Sequence, residues 1–138
     1  NGSVIRLAPG KCEILDHVKT GLLAVEPGRI ISANHVAISE RRKLQFSGTA
    51  HVSIVIDAKG NLIARPQLAL VGLIDEKDAE EQEFAEDLID DIEERISGFK
   101  RSKLSDVEIS EKIRIGVRKD IFEVLRIKAK VSVHLVRV

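Results

Sequence analysis

The chain has 138 residues, room for one domain of roughly 100 residues plus an appendage, since domains cluster near about 100–150 residues. Its 22 lysines and arginines balance 22 aspartates and glutamates, so net charge gives no steering toward nucleic acid. Apolar residues make up 43% with four Phe and no Trp, Tyr or Met, which calls for an aliphatic core, and the single Cys12 excludes an internal disulfide.

Short β-like segments come first. Residues 3–7 and 12–15 read as two strands around a turn at Pro9-Gly10, and residues 22–25 as a third, closed by Pro27-Gly28. An isolated hairpin is marginal in water, so this leader, residues 1–32, is expected to dock on a neighbouring domain. Residues 29–37 read as a transition. Arg41-Arg42-Lys43 then places three positive charges in a row; the commoner explanation is a solvated turn or helix surface, the alternative an RNA phosphate contact.

The second part, residues 33–138, opens its sheet at Thr49. Ala50, Val52, Ile54 and Ile56 alternate with His51, Ser53 and Val55, the pattern of a half-buried strand. Asp57 to Asn61 forms a hairpin loop, with Gly60 able to take the positive φ such turns require. Residues 62–71 return, and Pro66 confines that strand to a sheet edge because it cannot donate to the ladder.

Twelve of the residues from Asp75 to Glu94 are acidic and one, Lys77, is basic. Phe84, Leu88, Ile92 and Ile96 nevertheless recur every fourth position, predicting an amphipathic helix with an acidic outer face, opened at Asp78 with Glu81 three residues on. Ser97-Gly98 is expected to end it. Lys100-Arg101-Ser102-Lys103 makes a basic connection, and Ser105 with Glu108 is a capping box that opens a second helix. Its core stripe reads Ile109, Ile113, Val117, Ile121 and Val124, with Gly116 leaving room for close approach of the first helix. Ile115 and Phe122 fall on the opposite side near Arg118 and Lys119, either as isolated surface residues or as a subunit contact. A last strand, residues 130–138, turns Val131, Val133 and Leu135 inward. The predicted fold is α+β: a small three-stranded mixed sheet in the order β-β-α-α-β, the first strand central and parallel to the last, both helices on one face, and a β-rich leader in front.

Reaction chemistry finds no foothold in these residues. His17, His35, His51 and His134 lack metal-ligand spacing, although His51 and His134 fall on adjacent strands. Asp90 and Asp91 are consecutive and point about 100° apart on a helix, unsuited to a shared metal. Cys12 has no nucleophile partner at a recognisable spacing, Pro9-Gly10-Lys11 is not a phosphate loop, and strands without aromatic rings are poor stacking platforms for single-stranded RNA. No apolar run approaches the roughly 20 residues needed to span a bilayer, and the chain starts at Asn1 rather than Met, so it reads as a piece of a longer cytoplasmic protein.

Asn1-Gly2-Ser3-Val4-Ile5, the stretch Ile38-Ser39-Glu40-Arg41-Arg42-Lys43-Leu44 with Gly48, the hairpin at Asp57 to Gly60 and the tail from Val131 to Val138 together resemble the end of a bacterial ribonuclease J. Ala129 departs from the Pro often found before the last strand. The resemblance implies a parent with a metallo-β-lactamase core and an inserted β-CASP domain, acting as an endonuclease and 5′ to 3′ exonuclease in RNA processing and decay. It places zinc or manganese in that catalytic domain, whose histidine and aspartate motifs match no position here, so this fragment carries no catalytic residue, metal or cofactor. It assigns residues 1–32 to the end of the core plus linker. Residues 33–138 become a C-terminal domain implicated in homo-oligomer formation and support of the catalytic body, with an accessory RNA-binding role as the alternative.

Overall fold

The computed structural model describes residues 1–99 and 104–138; the basic connection read at residues 100–103 lies outside them. The chain divides into two compact units, Asn1–Arg42 and Lys43–Val138.

The first unit contains two antiparallel hairpins, β1 (Ser3–Ala8) with β2 (Lys11–His17) and β3 (Leu23–Glu26) with β4 (Arg29–Ser32). Strand β4 occupies the start of residues 29–37, where the sequence reads only as a transition after Pro27-Gly28. Four residues pairing across a tight turn carry too little periodicity to be distinguished from loop. None of residues 1–42 is buried.

Helix α1 (Val36–Ser47) crosses the boundary between the units and buries none of its side chains. Its ends explain its existence. The His35 ring nitrogen Nδ1 accepts the Ala37 amide at 3.2 Å, and Gly48, at φ +57°, donates its amide to the Leu44 carbonyl at 3.0 Å. The first occupies one orphan amide of the opening turn, and the second is a left-handed glycine cap.

Unit two is the α+β body. Strand β5 (Thr49–Ile56) is central, pairing antiparallel with β6 (Gln67–Val71) and parallel with β7 (Lys130–Arg137), so the predicted strand order and directions hold. β6 starts later than expected, at Gln67. Between the hairpin and β6 only a single bridge joins Ile56 to Leu62, and Pro66, buried with no amide to offer, accounts for the gap.

Helices α2 (Ala79–Phe99) and α3 (Asp106–Leu125) contribute Leu88, Ile92, Ile96, Ile109, Ile113, Val117 and Ile121 to one core with Ala50, Val52, Ile54, Ile56, Leu70 and Val131. Asp78 caps α2 through the Glu80 and Glu81 amides at 3.0 and 3.1 Å, but the Glu81 carboxylate takes the Asp75 amide instead of closing a box. α2 also runs through Ser97-Gly98 to Phe99. Gly98 lacks the positive φ of a helix terminator, and an interior glycine costs only about 1 kcal/mol. At α3 the Ser105–Glu108 box is present in full. Val124 is 61% exposed and Leu125 packs on the core in its place. The i+4 row from Ile109 to Ile121 is inclined to the helix axis, so by the last turn the buried line has moved on one residue.

Gly116 makes room for a side chain of the first predicted helix, α2. A Cβ there would lie 2.8 Å from the Arg95 Nη1 atom of α2, whose guanidinium lies across α3 to reach Asp120 at 2.5 and 2.9 Å. Gly116→Ala should therefore be near neutral: about 1 kcal/mol gained in helix propensity is offset by a displaced, half-buried ion pair of similar worth. In an Arg95→Ala background the same change should stabilise by about 1 kcal/mol. Urea unfolding of the four chains in that cycle measures the difference, and equal effects in both backgrounds would remove Arg95 from the account.

Candidate functional site

The outer face of α3 combines exposed apolar side chains with concentrated charge. Ile115 and Phe122 lie seven residues apart, two turns along one side of the helix, opposite Ile113, Val117 and Ile121, and are 54% and 37% exposed. With Arg114, Arg118, Lys119 and Lys128 they line an open groove of about 290 Å³.

Two of these cations have acidic partners on the helix itself. Arg114 binds Glu111 at 2.6 Å and Lys119 lies 3.5 Å from Glu123. The Arg114 guanidinium holds the Glu111 carboxyl below its usual range. Arg118 has no ion pair among the described residues. Arg126 ends the helix in a left-handed conformation and sets its guanidinium 5.9 Å from the Phe122 ring centroid. Its part in the face, like that of Lys128, was not legible from helical spacing, because both follow the last turn.

Arg41, Arg42 and Lys43 are exposed on α1, where consecutive side chains fan out by about 100° each. Arg41 is engaged: its guanidinium binds Glu26 and its Nε donates to the Ala37 carbonyl at 3.2 Å. Glu26, hydrogen-bonded first by Arg41 and then by Arg29, is held below the ordinary carboxylate range. Arg42 and Lys43 have no ion pair among the described residues.

On the sheet face away from the helices, His51 sits opposite Ser132 and His134 opposite Ser53, so the two histidines are diagonal rather than direct neighbours. His51 Nδ1 lies 2.7 Å from the Ser132 hydroxyl. No carboxylate is hydrogen-bonded to either histidine among the described residues, so the pair lacks the third group that would orient a nucleophile.

The acidic side of α2 is partly neutralised from within. Arg65 reaches Glu86 and Asp90 at 2.8 Å each and Glu93 at 3.7 Å, pinning the irregular stretch before Pro66 to the helix. Cys12 is exposed in the leader. Among the described residues, no three His, Cys, Asp or Glu side chains converge to hold a metal ion. No helix among them is long and apolar enough to cross a membrane.

Known proteins resemble this chain in sequence. Residues 36–138 match the family model described as the Ribonuclease J C-terminal domain. Over 139 aligned residues, covering the whole chain, the sequence is 31% identical to Ribonuclease J of Sinorhizobium meliloti (strain Sm2011 / Rm2011 / 2011). The chain spans 24% of that relative's length. An aliphatic three-stranded sheet roofed by an acidic helix and a second helix with a basic outer groove is thus the body of a ribonuclease J C-terminal domain, and the chain belongs to the ribonuclease J family.

Proposed function

We propose that this domain is a non-catalytic assembly module of a metal-dependent, cytoplasmic ribonuclease that processes and degrades RNA, promoting homo-oligomers and supporting the catalytic body. The observation that carries the reading is the exposure of Ile115 and Phe122 together in the α3 groove. Exposed apolar side chains grouped in a cleft, with charges at its rim, have the make-up of an interface core and border.

Residues 1–32 are read as the end of the catalytic core plus linker, and residues 33–138 as the C-terminal domain. In support, Ile5, Leu7, Ile14, Leu15, Leu23 and Val25 are all exposed, which leaves two hairpins with apolar surface and no core of their own.

The test is the mass of the chain in solution, by light scattering, beside a chain carrying Ile115→Lys and Phe122→Glu. Self-association should weaken by about 10-fold or more, as for anchor residues at an interface centre. At dilutions where both chains are monomeric the thermal unfolding midpoint should stay put, since neither residue belongs to the buried core. Unchanged mass would overturn the assignment.

A second reading, an accessory RNA contact, draws on the two α1 cations without ion pairs among the described residues, Arg42 and Lys43. Two phosphate contacts predict a logarithmic salt slope near −1.4 for single-stranded RNA, at about −0.7 per phosphate. Binding of labelled RNA with that slope, lost on Arg42→Ala with Lys43→Ala, favours this reading; salt-insensitive association of the chain with itself favours the first.

A further inference from the structure

The sheet face turned away from the helices carries exposed polar side chains that neither reading above uses. Strand β5 contributes His51 and Ser53, β6 contributes Gln67 and Ala69, and β7 contributes Ser132 and His134, all exposed. Two of the chain's four histidines are thus gathered on one patch. The other two lie in the first unit, His17 on β2 and His35 just before α1.

The ladder sets the separation of the pair. His51 is level with Ser132, and His134, two residues further along β7, is level with Ser53. With strands about 4.8 Å apart and a rise of about 3.3 Å per residue, the two Cα atoms lie about 8 Å from each other. Diagonal positions at that distance are within reach of aromatic rings. Two nitrogens on one tetrahedral zinc ion, each bonded at about 2.05 Å, are about 3.3 Å apart. Both rings are exposed, so leaning them together displaces nothing from the core.

His51 also has the outer partner that a metal-bound imidazole needs. Its Nδ1 lies 2.7 Å from the Ser132 hydroxyl. A hydroxyl accepts as well as donates, so with the Nε2 lone pair given to a metal, an Nδ1 proton keeps this bond. Such a bond fixes the tautomer and the orientation of a ligating ring.

We propose that His51 and His134 together chelate a late first-row divalent cation of the zinc type on the open face of the sheet. The class of ion follows from the donors. Imidazole nitrogens suit zinc, nickel and copper, whereas magnesium and calcium take oxygen ligands. No carboxylate is hydrogen-bonded to either ring among the described residues, which further disfavours the harder ions. Structural zinc sites close with four protein ligands. Two histidines leave positions for water, so the ion is exchangeable and the patch is a capture site.

The experiment titrates zinc chloride into the dilute 138-residue chain at neutral pH, reading heats of binding and the imidazole proton resonances. One ion should bind per chain, and the His51 and His134 resonances should shift together. His51→Ala and His134→Ala should each weaken this site by about 10-fold or more, because the second imidazole acts at a high effective concentration once the first has bound. Removing both should add little to either loss, as expected for groups that act as a unit. Zinc should raise the unfolding midpoint of the unaltered chain and not that of the two variants. His17→Ala with His35→Ala should leave the site intact, and magnesium chloride should shift neither ring. Unchanged affinity in either single variant overturns the proposal. So does one zinc shared between two chains, loss of the site on removing His17 and His35, or magnesium binding as tightly as zinc.

Discussion

Ile113→Ala is expected to destabilise the α+β body by about 2–5 kcal/mol, the range for removing a large aliphatic side chain from a core that relaxes only in part. Ile113 has no solvent exposure and lies in the middle of the α3 row, within a core shared by both helices and all three strands. A domain of this size has about 5–15 kcal/mol in total, so the loss is a large fraction of its stability. Leu88→Ala, at the corresponding place on α2, should fall in the same range. Urea denaturation followed by far-ultraviolet dichroism provides the comparison. If both changes were near neutral, the two helices could not be packed on the sheet through these faces.

Gly48→Ala should cost about 2–5 kcal/mol, from two sources that a control separates. A left-handed backbone costs a non-glycine residue about 1–2 kcal/mol. Overpacking typically adds about 1–3 kcal/mol. At φ +57°, a Cβ on Gly48 would lie 2.7 Å from the Leu73 Cγ and 2.8 Å from the Gly72 carbonyl oxygen. Backbone on one side and a packed leucine on the other leave nothing free to yield. Gly60 in the hairpin loop has φ +83° with nothing within 4 Å of its missing Cβ, so Gly60→Ala should show the conformational part alone. The difference in unfolding midpoint between the two variants isolates the clash. Equal midpoints would mean that Leu73 and Gly72 move aside without loss.

Where burial is one-sided the fold could be read from the sequence, and where it is absent it could not. β5 and β7 display strict alternation because one face of the sheet meets the helices while the other meets solvent. Ser105 with Glu108, and Pro66 at the sheet edge, announce themselves through local chemistry. Helix α1 buries nothing, and Phe46 is 80% exposed, so no apolar period marks it. Its stability rests on the His35 and Gly48 ends and on the Arg41–Glu26 pair, fifteen residues apart. Long-range pairs of this kind have no sequence signature. Arg137 is another case: it binds Asp106 at the start of α3, holding that carboxyl below its usual range, and donates to the Asp57 and Ala58 carbonyls at 3.0 and 3.3 Å. On the candidate face, the seven-residue spacing of Ile115 and Phe122 was readable, whereas Arg126 and Lys128 join it only because the chain turns back after α3.

The parallel pairing of β5 with β7 bears on how the domain comes into being. His51 and its neighbour Ser132 are separated by 81 positions, and bringing such distant segments together has an entropic cost of about 4 kcal/mol for an unstructured loop. During synthesis the β5–β6 hairpin must wait, with one side of its central strand unmatched, until both helices have left the ribosome and the last strand follows. Early docking of α2 on α3 would shorten the effective span. Chaperone dependence and premature aggregation of nascent chains should therefore peak just before β7 emerges, and fall sharply once it does.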